Sequence, residues 1–146
     1  MIEESEEVGE SALGDGDRVV LSFPARGDLV VLARLVTSAI SARAGFDIES
    51  LEDLRLAVGE LCLLALQGRA SRDGKLRLEF TVAEDMVAIT CTLTGGVADA
   101  ATAEGEADVD QLSEQILSAL VDEYGRNQTD GCVQAWLRKR RRGYEA

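Results

Sequence analysis

The chain has 146 residues, of which 46% are hydrophobic and 4% aromatic, and its formal net charge at pH 7 is -12. This length suits one domain with a core of aliphatic side chains. Contacts with nucleic acid phosphates require lysine and arginine, so the strong acidity argues against direct nucleic acid binding. The same acidity suits a basic protein partner, or it serves solubility alone.

Histidine is absent, and the three cysteines are widely spaced at Cys62, Cys91 and Cys132. The lack of histidine removes Ser-His and Cys-His catalysis and the usual zinc sites. Two of the cysteines lie within apolar runs, which favours reduced, buried thiols. No apolar run reaches the length of a membrane span, and the first residues are acidic rather than signal-like. We therefore expect a cytoplasmic protein without membrane contact.

The predicted elements begin after an acidic arm. Residues 1–17 contain seven acidic residues and no basic one, which predicts disorder. Residues 18–24 have the composition of a strand that ends at the single proline. Apolar residues three or four positions apart predict a first helix over 28–44, and Gly45 is placed to end it.

A second helix is predicted directly after the first, over residues 47–66. Asp47 or Ser50 can cap it, and Ser50 with Asp53 resembles a capping box. Its apolar residues exceed one stripe, and the far half is apolar on nearly all sides. Such a helix is buried on several sides or covered by a partner.

Two segments of alternating polarity, 75–83 and 86–94, predict a meander with one face against the helices. Residues 95–110 are almost free of large apolar side chains, which predicts a long loop. A third helix is expected over 109–124, followed by a last strand over 132–137.

That strand runs into a basic stretch at residues 138–142. The stretch could bind an acidic partner or the chain's own acidic arm, but a solvated tail is the default expectation. The order β-α-α-β-β-α-β predicts an α+β fold, a two-layer α/β sandwich with the helices on one face of a mainly antiparallel sheet. The domain is expected over 18–140, with a disordered basic tail over 141–146.

Four stretches of the sequence resemble the anti-sigma-factor serine-protein kinases of the GHKL ATPase superfamily. They are 23–34, 44–47, 51–62 and 119–123, and the run LEDLRLAVGELC at 51–62 is the most specific of them. In the family this helix carries the E-x-x-x-N motif called the N box. The resemblance covers about residues 19–140 and implies the Bergerat, or GHKL-type, ATPase fold.

The resemblance also implies a chemistry that can be compared position by position. Kinases of this family bind ATP with magnesium, phosphorylate a serine of an anti-sigma-factor antagonist, and hold a sigma factor. Glu60 matches the N-box carboxylate, but Leu64 stands where an amide should reach magnesium. Leu93 stands at the adenine-binding aspartate, and Gly95 is the remaining glycine of that box.

The lid box of the family is also changed in this chain. Gln111 and Ser113 stand where the family has glycines whose backbone N–H groups approach phosphates, and Glu114 would repel phosphate. Glu60 and Gly95 are therefore interpreted as vestigial, and the binding of ATP and magnesium is predicted to be lost. No cofactor or metal is expected.

The predicted function is that of a non-catalytic, anti-sigma-factor-like regulator that binds a sigma factor, a STAS-type anti-sigma antagonist, or both. One alternative is an ATP-dependent serine-protein kinase with an atypical nucleotide site. Another is a pseudokinase scaffold or dimerisation module, and a homodimer is compatible with the resemblance. The apolar excess of the second helix suits either a partner surface or a filled nucleotide pocket.

Candidate partner-binding residues come from the first two helices and the turn before them. Arg26 and Arg34 match family positions in the region that contacts partners. Glu52, Asp53 and Arg55 are further candidates, although they could equally form an ordinary charged helix face with local ion pairs.

Overall fold

A computed structural model describes residues 16–66, 74–95, 103–129 and 132–142, without the side chains of 103–110 and 129. The elements in chain order are β1 (Arg18–Pro24), α1 (Val30–Arg43), α2 (Ile48–Leu66), β2 (Lys75–Ala83), β3 (Met86–Thr94), α3 (Ala103–Leu120), β4 (Glu123–Thr129) and β5 (Cys132–Arg140). A short 3-10 turn over Gly27–Leu29 leads into α1. No helix of this described part has both the length and the apolar content to cross a membrane.

The five strands form one antiparallel sheet in the spatial order β1-β2-β3-β5-β4. The alternation predicted for β2 and β3 is confirmed, because every second residue of each strand is buried: Leu76, Leu78, Phe80, Val82, Val87, Ile89, Cys91 and Leu93. These side chains form the inner face, against which the helices pack. The predicted α+β class is confirmed.

Helix α2 is the central element of the helical layer. It contacts α1 and α3 as well as strands β3 and β5. Ten of its nineteen residues are buried. The prediction of a helix buried on several sides is therefore confirmed.

The sequence analysis identified some of the residues that end α1 and begin α2. Gly45 has a φ of 87°, a left-handed conformation in which glycine carries no Cβ penalty. The backbone N–H of Ser50 donates to Asp47 Oδ1 at 2.7 Å, so Asp47 is the cap. The predicted capping box of Ser50 with Asp53 is wrong, because α2 begins at Ile48 and Ser50 lies within its first turn.

The last third of the chain differs most from the prediction. Helix α3 begins at Ala103 and ends at Leu120, whereas a helix over 109–124 was expected. Part of the predicted loop 95–110 is therefore helical, since alanine and glutamate favour a helix even without large apolar neighbours. Strand β4 was not predicted, because its sequence Glu-Tyr-Gly-Arg-Asn-Gln-Thr is polar and belongs to a sheet edge.

The basic stretch 138–142 is not a solvated tail. Its first three residues belong to β5, and all three form ion pairs: Arg138 with Glu123 at 3.0 Å, Lys139 with Asp53 at 3.8 Å and Arg140 with Asp85 at 3.3 Å. Arg142 reaches Glu49 at 2.6 Å, and this carboxylate raises the pKa of the guanidinium. The side chains pair within the domain because the sheet brings them beside acidic residues of the turns and of α2. The acidic arm before Gly16 and the tail beyond Arg142 lie outside the described residues.

Candidate functional site

The residue matched to the N-box carboxylate, Glu60, faces α3 from the middle of α2. The hydroxyl of Ser113 donates a hydrogen bond to Glu60 Oε1 at 3.0 Å. Ser113 is 1% exposed, so its hydroxyl is shielded from water. The carboxylate therefore acts as an acceptor between two helices, a role that sequence reasoning did not identify.

One helical turn further on, Leu64 is 1% exposed and lines an open pocket of about 400 Å³. The other lining residues are Glu114 of α3 and Tyr124, Gly125 and Arg126 of β4. The pocket thus joins an apolar side chain and a phenol to one carboxylate and one guanidinium. Leu64 itself offers no oxygen or nitrogen to a ligand.

The residues matched to the adenine box lie at the end of β3. Leu93 is 5% exposed and lies in register between Leu76 of β2 and Val133 of β5 on the inner face of the sheet. It belongs to the hydrophobic core and presents no acceptor. Gly95 follows with a φ of 79°, a conformation that favours glycine whatever the chemistry nearby.

Two of the three free cysteines, Cys62 and Cys91, are buried on facing elements of the core. A hydrogen bond with Cys62, together with burial, raises the pKa of the Cys91 thiol well above its ordinary value. A thiol held in its neutral form is a poor nucleophile and a poor metal ligand. The pair therefore contributes to packing.

Arg26, a predicted partner-binding residue, lies in the turn before α1. Its Nη2 pairs with Asp28 Oδ2 at 2.8 Å, and both side chains are well exposed. The hydrogen bond between them raises the pKa of Arg26 and lowers that of Asp28. Because exposed pairs are weak, this pairing leaves both groups able to exchange partners.

The three α2 candidates each have a partner within the chain. Arg55 pairs with Glu52 at 2.7 Å across one turn of the helix. Asp53 lies 3.8 Å from the ammonium group of Lys139. The Arg55–Glu52 pair matches the alternative of a charged helix face with local ion pairs, whereas the Asp53–Lys139 pair joins α2 to β5.

Arg34 differs from the other candidates, because it pairs with no carboxylate among the described residues. Its guanidinium lies across α2 at Gly59: a Cβ at this glycine would lie 2.6 Å from Arg34 Nη2 and 2.9 Å from Nε. The glycine therefore provides the space in which the arginine crosses from one helix to the other.

Exposed apolar side chains lie on α1, the helix of Arg34, and on the neighbouring helix α2. On α1 they are Val31, Leu32 and Leu35, which are 48%, 37% and 62% exposed, and on α2 they are Ile48, Leu56 and Leu63, which are 78%, 56% and 38% exposed. Helical spacing puts Leu56, Gly59 and Leu63 on one face of α2. We call Val31, Arg34, Leu35, Leu56 and Leu63 the α1–α2 patch. The sequence analysis named Arg34 as a partner-binding candidate and the apolar excess of the second helix as suited to a partner surface, but it did not place the two together.

Comparison with known proteins places this geometry in a family. Residues 23–139 match the family described as histidine kinase-like ATPase domain. Proteins named serine-protein kinase RsbW are similar to the chain. That of Listeria monocytogenes serovar 1/2a is 33% identical over 92 residues, which are 62% of this chain and 59% of that protein. That of Bacillus pumilus is 34% identical over 87 residues, which are 57% of this chain and 54% of that protein.

A third relative, serine-protein kinase RsbW of Bacillus licheniformis, is 31% identical over 137 residues, 84% of this chain and 85% of that protein. The chain spans less than two thirds of the first two relatives but most of the third. The chain therefore belongs to the histidine kinase-like ATPase domain family, and within it to the RsbW-like family. The resemblance inferred from the motifs is confirmed.

Proposed function

We propose that the protein is a non-catalytic regulator that acts by binding other proteins, with a sigma factor, a STAS-domain anti-sigma antagonist, or both as partners. The loss of catalysis is inferred from two residues of α2, Glu60 and Leu64. The retained carboxylate, Glu60, accepts a hydrogen bond from α3, and the magnesium-binding position one turn later is the buried Leu64.

The group that the family implies is ATP with magnesium, and the residues present do not fit it. Magnesium takes oxygen ligands in near-octahedral geometry, and Leu64 has none to offer. Within the described ranges, no three or more Asp, Glu, Cys or His side chains are grouped as a metal site would require. One carboxylate oxygen of Glu60, Oε1, already accepts a hydrogen bond from Ser113.

The positions for the base and the phosphates do not fit a nucleotide either. Leu93 is packed into the core and cannot accept a hydrogen bond from an adenine amine. Glu114 lies at the rim of the Leu64 pocket, where its carboxylate would repel phosphate. Leucine at positions 64 and 93 removes polar groups that would be unsatisfied without nucleotide.

The α1–α2 patch supports the protein-binding part of the proposal. Arginine surrounded by apolar side chains is a common composition for the centre of a protein interface. In a chain of net charge -12, a guanidinium that has no carboxylate partner among the described residues is available to a carboxylate of another protein. We therefore place Arg34 at the centre of the partner-binding surface, with a partner that offers apolar side chains around a carboxylate.

One alternative has a specific observation in its favour. The relatives are named serine-protein kinases, and Glu60 is retained. An ATP-dependent kinase with an atypical nucleotide site would therefore be the second candidate function, and it requires nucleotide binding that the pocket residues oppose. A scaffold that binds an antagonist without a sigma factor, or that forms a homodimer, would use the same exposed patch.

The experiment measures binding of this protein to each sigma factor and each STAS-domain protein of its own organism, all purified, by biolayer interferometry. We expect at least one partner to bind, and Arg34→Ala to weaken that binding by about tenfold or more. The matched control is Arg77→Ala, an exposed arginine on the opposite face of the sheet that pairs with Glu79.

Two results would count against the proposal. If no sigma factor or STAS-domain protein binds at about 10 μM, protein binding of this class is wrong. If a STAS-domain protein gains phosphate when it is incubated with this protein and Mg-ATP, the kinase alternative replaces the proposal. Equal effects of the two arginine substitutions would move the binding surface away from the α1–α2 patch.

A further inference from the structure

The hydrogen bond between Ser113 and Glu60 is a long-range contact, formed by residues 53 positions apart in the sequence. It joins a hydroxyl that is 1% exposed to a partly buried carboxylate. Hydrogen bonds to a charged acceptor are stronger than those between neutral groups, particularly when water is excluded. This bond is therefore a polar attachment of α3 to α2 within the described residues 111–120.

Few other described side chains hold this part of α3 in place. Over residues 111–120, only Ser113 and Leu117 are buried, while Ile116 and Leu120 are partly buried. Leu112, next to the bonded serine, is 58% exposed. Helical segments with few buried apolar contacts open locally more readily than the rest of a domain.

The bond and the docked position of α3 depend on each other. If the bond broke while α3 stayed in place, the buried hydroxyl of Ser113 would lose its partner without gaining water. The bond therefore breaks when α3 moves away from α2, where both groups can be hydrated. This coupling makes a two-state arrangement, either docked and bonded or undocked and hydrated.

The C-terminal end of α3 is fixed by separate contacts. Lys139 Nζ donates to the carbonyl oxygen of Leu120 at 2.7 Å, and the N–H of Asp122 donates to the carbonyl oxygen of Arg138 at 3.0 Å. Ser113 lies seven residues before Leu120, a helical rise of about 10 Å. The helix is thus held at its end by β5 and along its length by the bond to Glu60.

We propose that the Glu60–Ser113 bond is a latch that keeps α3 docked on α2. Release of this bond widens the pocket at Leu64. The helix turns about its fixed end at Leu120, and Glu114, the residue after the latch, moves out of the pocket wall. Opening exposes Leu64 and Tyr124. The carboxylate at the N-box position has on this account a conformational role, which does not depend on the identity of the partner.

The test is hydrogen–deuterium exchange of the full chain, read by mass spectrometry, for the wild type and Ser113→Ala. We expect the amides of residues 114–120 to exchange about tenfold faster in the variant. A lost charge-assisted hydrogen bond shifts the docking equilibrium by about that factor, and a short helix without its packing partner frays in water, which frees its amides for exchange. Peptides from β2, β3 and the first half of α2 should be unchanged. The fluorescent dye 8-anilinonaphthalene-1-sulfonate, which binds exposed apolar surface, should also bind more strongly to the variant.

Ser118→Ala is the matched control, because its hydroxyl is exposed on the same helix and donates to the carbonyl oxygen of Gln115. Glu60→Gln keeps a hydrogen-bond acceptor without the charge, so its amides at 114–120 should exchange at an intermediate rate. This variant also tests the proposal if Ser113→Ala does not fold. Exchange of 114–120 in Ser113→Ala within twofold of the Ser118→Ala control would overturn the proposal. Equal acceleration in all peptides would also overturn it, since that result means global unfolding rather than a latch.

Discussion

Helices α2 and α3 lie side by side on one face of the sheet, but they are held in different ways. Helix α2 is anchored along its length, with ten buried residues and contacts with two helices and two strands. In α3, the described side chains that are fully buried are Ser113 and Leu117. The comparison teaches that α2 is the framework of the helical layer, whereas residues 111–120 of α3 are held by a few described side-chain contacts, one of them polar.

The largest effect is expected from Leu64→Asn, which tests whether α2 is a sealed framework or an altered ligand-binding helix. The substitution replaces a buried apolar side chain by an amide, so we expect the free energy of unfolding to fall by about 2–4 kcal/mol. Urea denaturation measures this loss. Leu56→Asn, at an exposed position of the same helix, is the control and should change stability by about 0.5 kcal/mol or less.

A Leu64→Asn variant that is as stable as the wild type and binds ATP would contradict the first half of the comparison. It would show that the pocket beside α2 is still organised for nucleotide, with a single residue missing. The expected variant is less stable and still does not bind ATP.

A smaller effect of opposite sign is expected from Gly59→Ala. Alanine in a helix interior is favoured over glycine, so we expect a gain of about 0.5–1 kcal/mol, measured by urea denaturation. The new Cβ would meet the far end of the flexible Arg34 side chain, which must move away. The account therefore predicts a more stable protein that binds its partner less tightly.

A double-mutant cycle sharpens this prediction. If Gly59→Ala weakens binding only by moving the guanidinium, it should have no further effect in an Arg34→Ala background. Independent, additive losses would show that Gly59 affects the partner surface in some other way.

The smallest effect is expected at the start of α2, from Asp47→Ala. The backbone N–H of Ser50 donates to Asp47, which holds the pKa of its carboxyl below the ordinary value. Because the pKa is lowered in the folded state, the stabilisation is complete above the unfolded pKa and is lost as pH falls through the folded pKa. The urea midpoint of Asp47→Ala should therefore lie below that of the wild type at neutral pH and approach it in acid.

Asp47→Asn separates the effect of the capping hydrogen bond from the effect of the negative charge. Asparagine also caps helices, so this variant should keep most of the midpoint at neutral pH and lose the part of the acid dependence that Asp47 supplies. A wild-type midpoint for Asp47→Ala at neutral pH would mean that the observed hydrogen bond does not stabilise α2.

The same two helices show how far the sequence predicts the fold. Helix α2 was predictable because a capping residue, Asp47, precedes a long apolar pattern, and its burial follows from that pattern. Strands β2 and β3 were predictable because their alternation reports one buried face. Helix α3 starts among small and acidic residues, where periodicity is weak, so its first turns were assigned to a loop.

Strand β4 was missed for a related reason. It lies at the edge of the sheet, and its Gly125 sits beneath the ring of Trp136, where a Cβ would lie 2.7 Å from Trp136 Cζ2. In the sequence alone, a glycine that is required by a side chain of the neighbouring strand indicates a turn instead of a strand. The pair Asp130-Gly131 between two short segments was a hairpin signal that could have located β4.

For the candidate site, the sequence located the altered positions but not their contacts. Leu64, Leu93 and Ser113 could be identified by their places in family motifs. The bond of Ser113 to Glu60 and the contact of Arg34 with Gly59 join separate helices, so no local pattern reveals them. Both follow only from the packing of α1 and α3 against α2.

The central claim, a regulator that binds proteins and not nucleotide, is tested most directly by calorimetric titration of the wild-type protein with Mg-ATP and Mg-ADP. The account predicts no binding heat at millimolar nucleotide, because Leu64 and Leu93 offer no polar group to a nucleotide and the carboxylate of Glu114 would repel its phosphates. Binding at micromolar nucleotide would contradict the account and would make kinase activity on a STAS-domain antagonist the leading function.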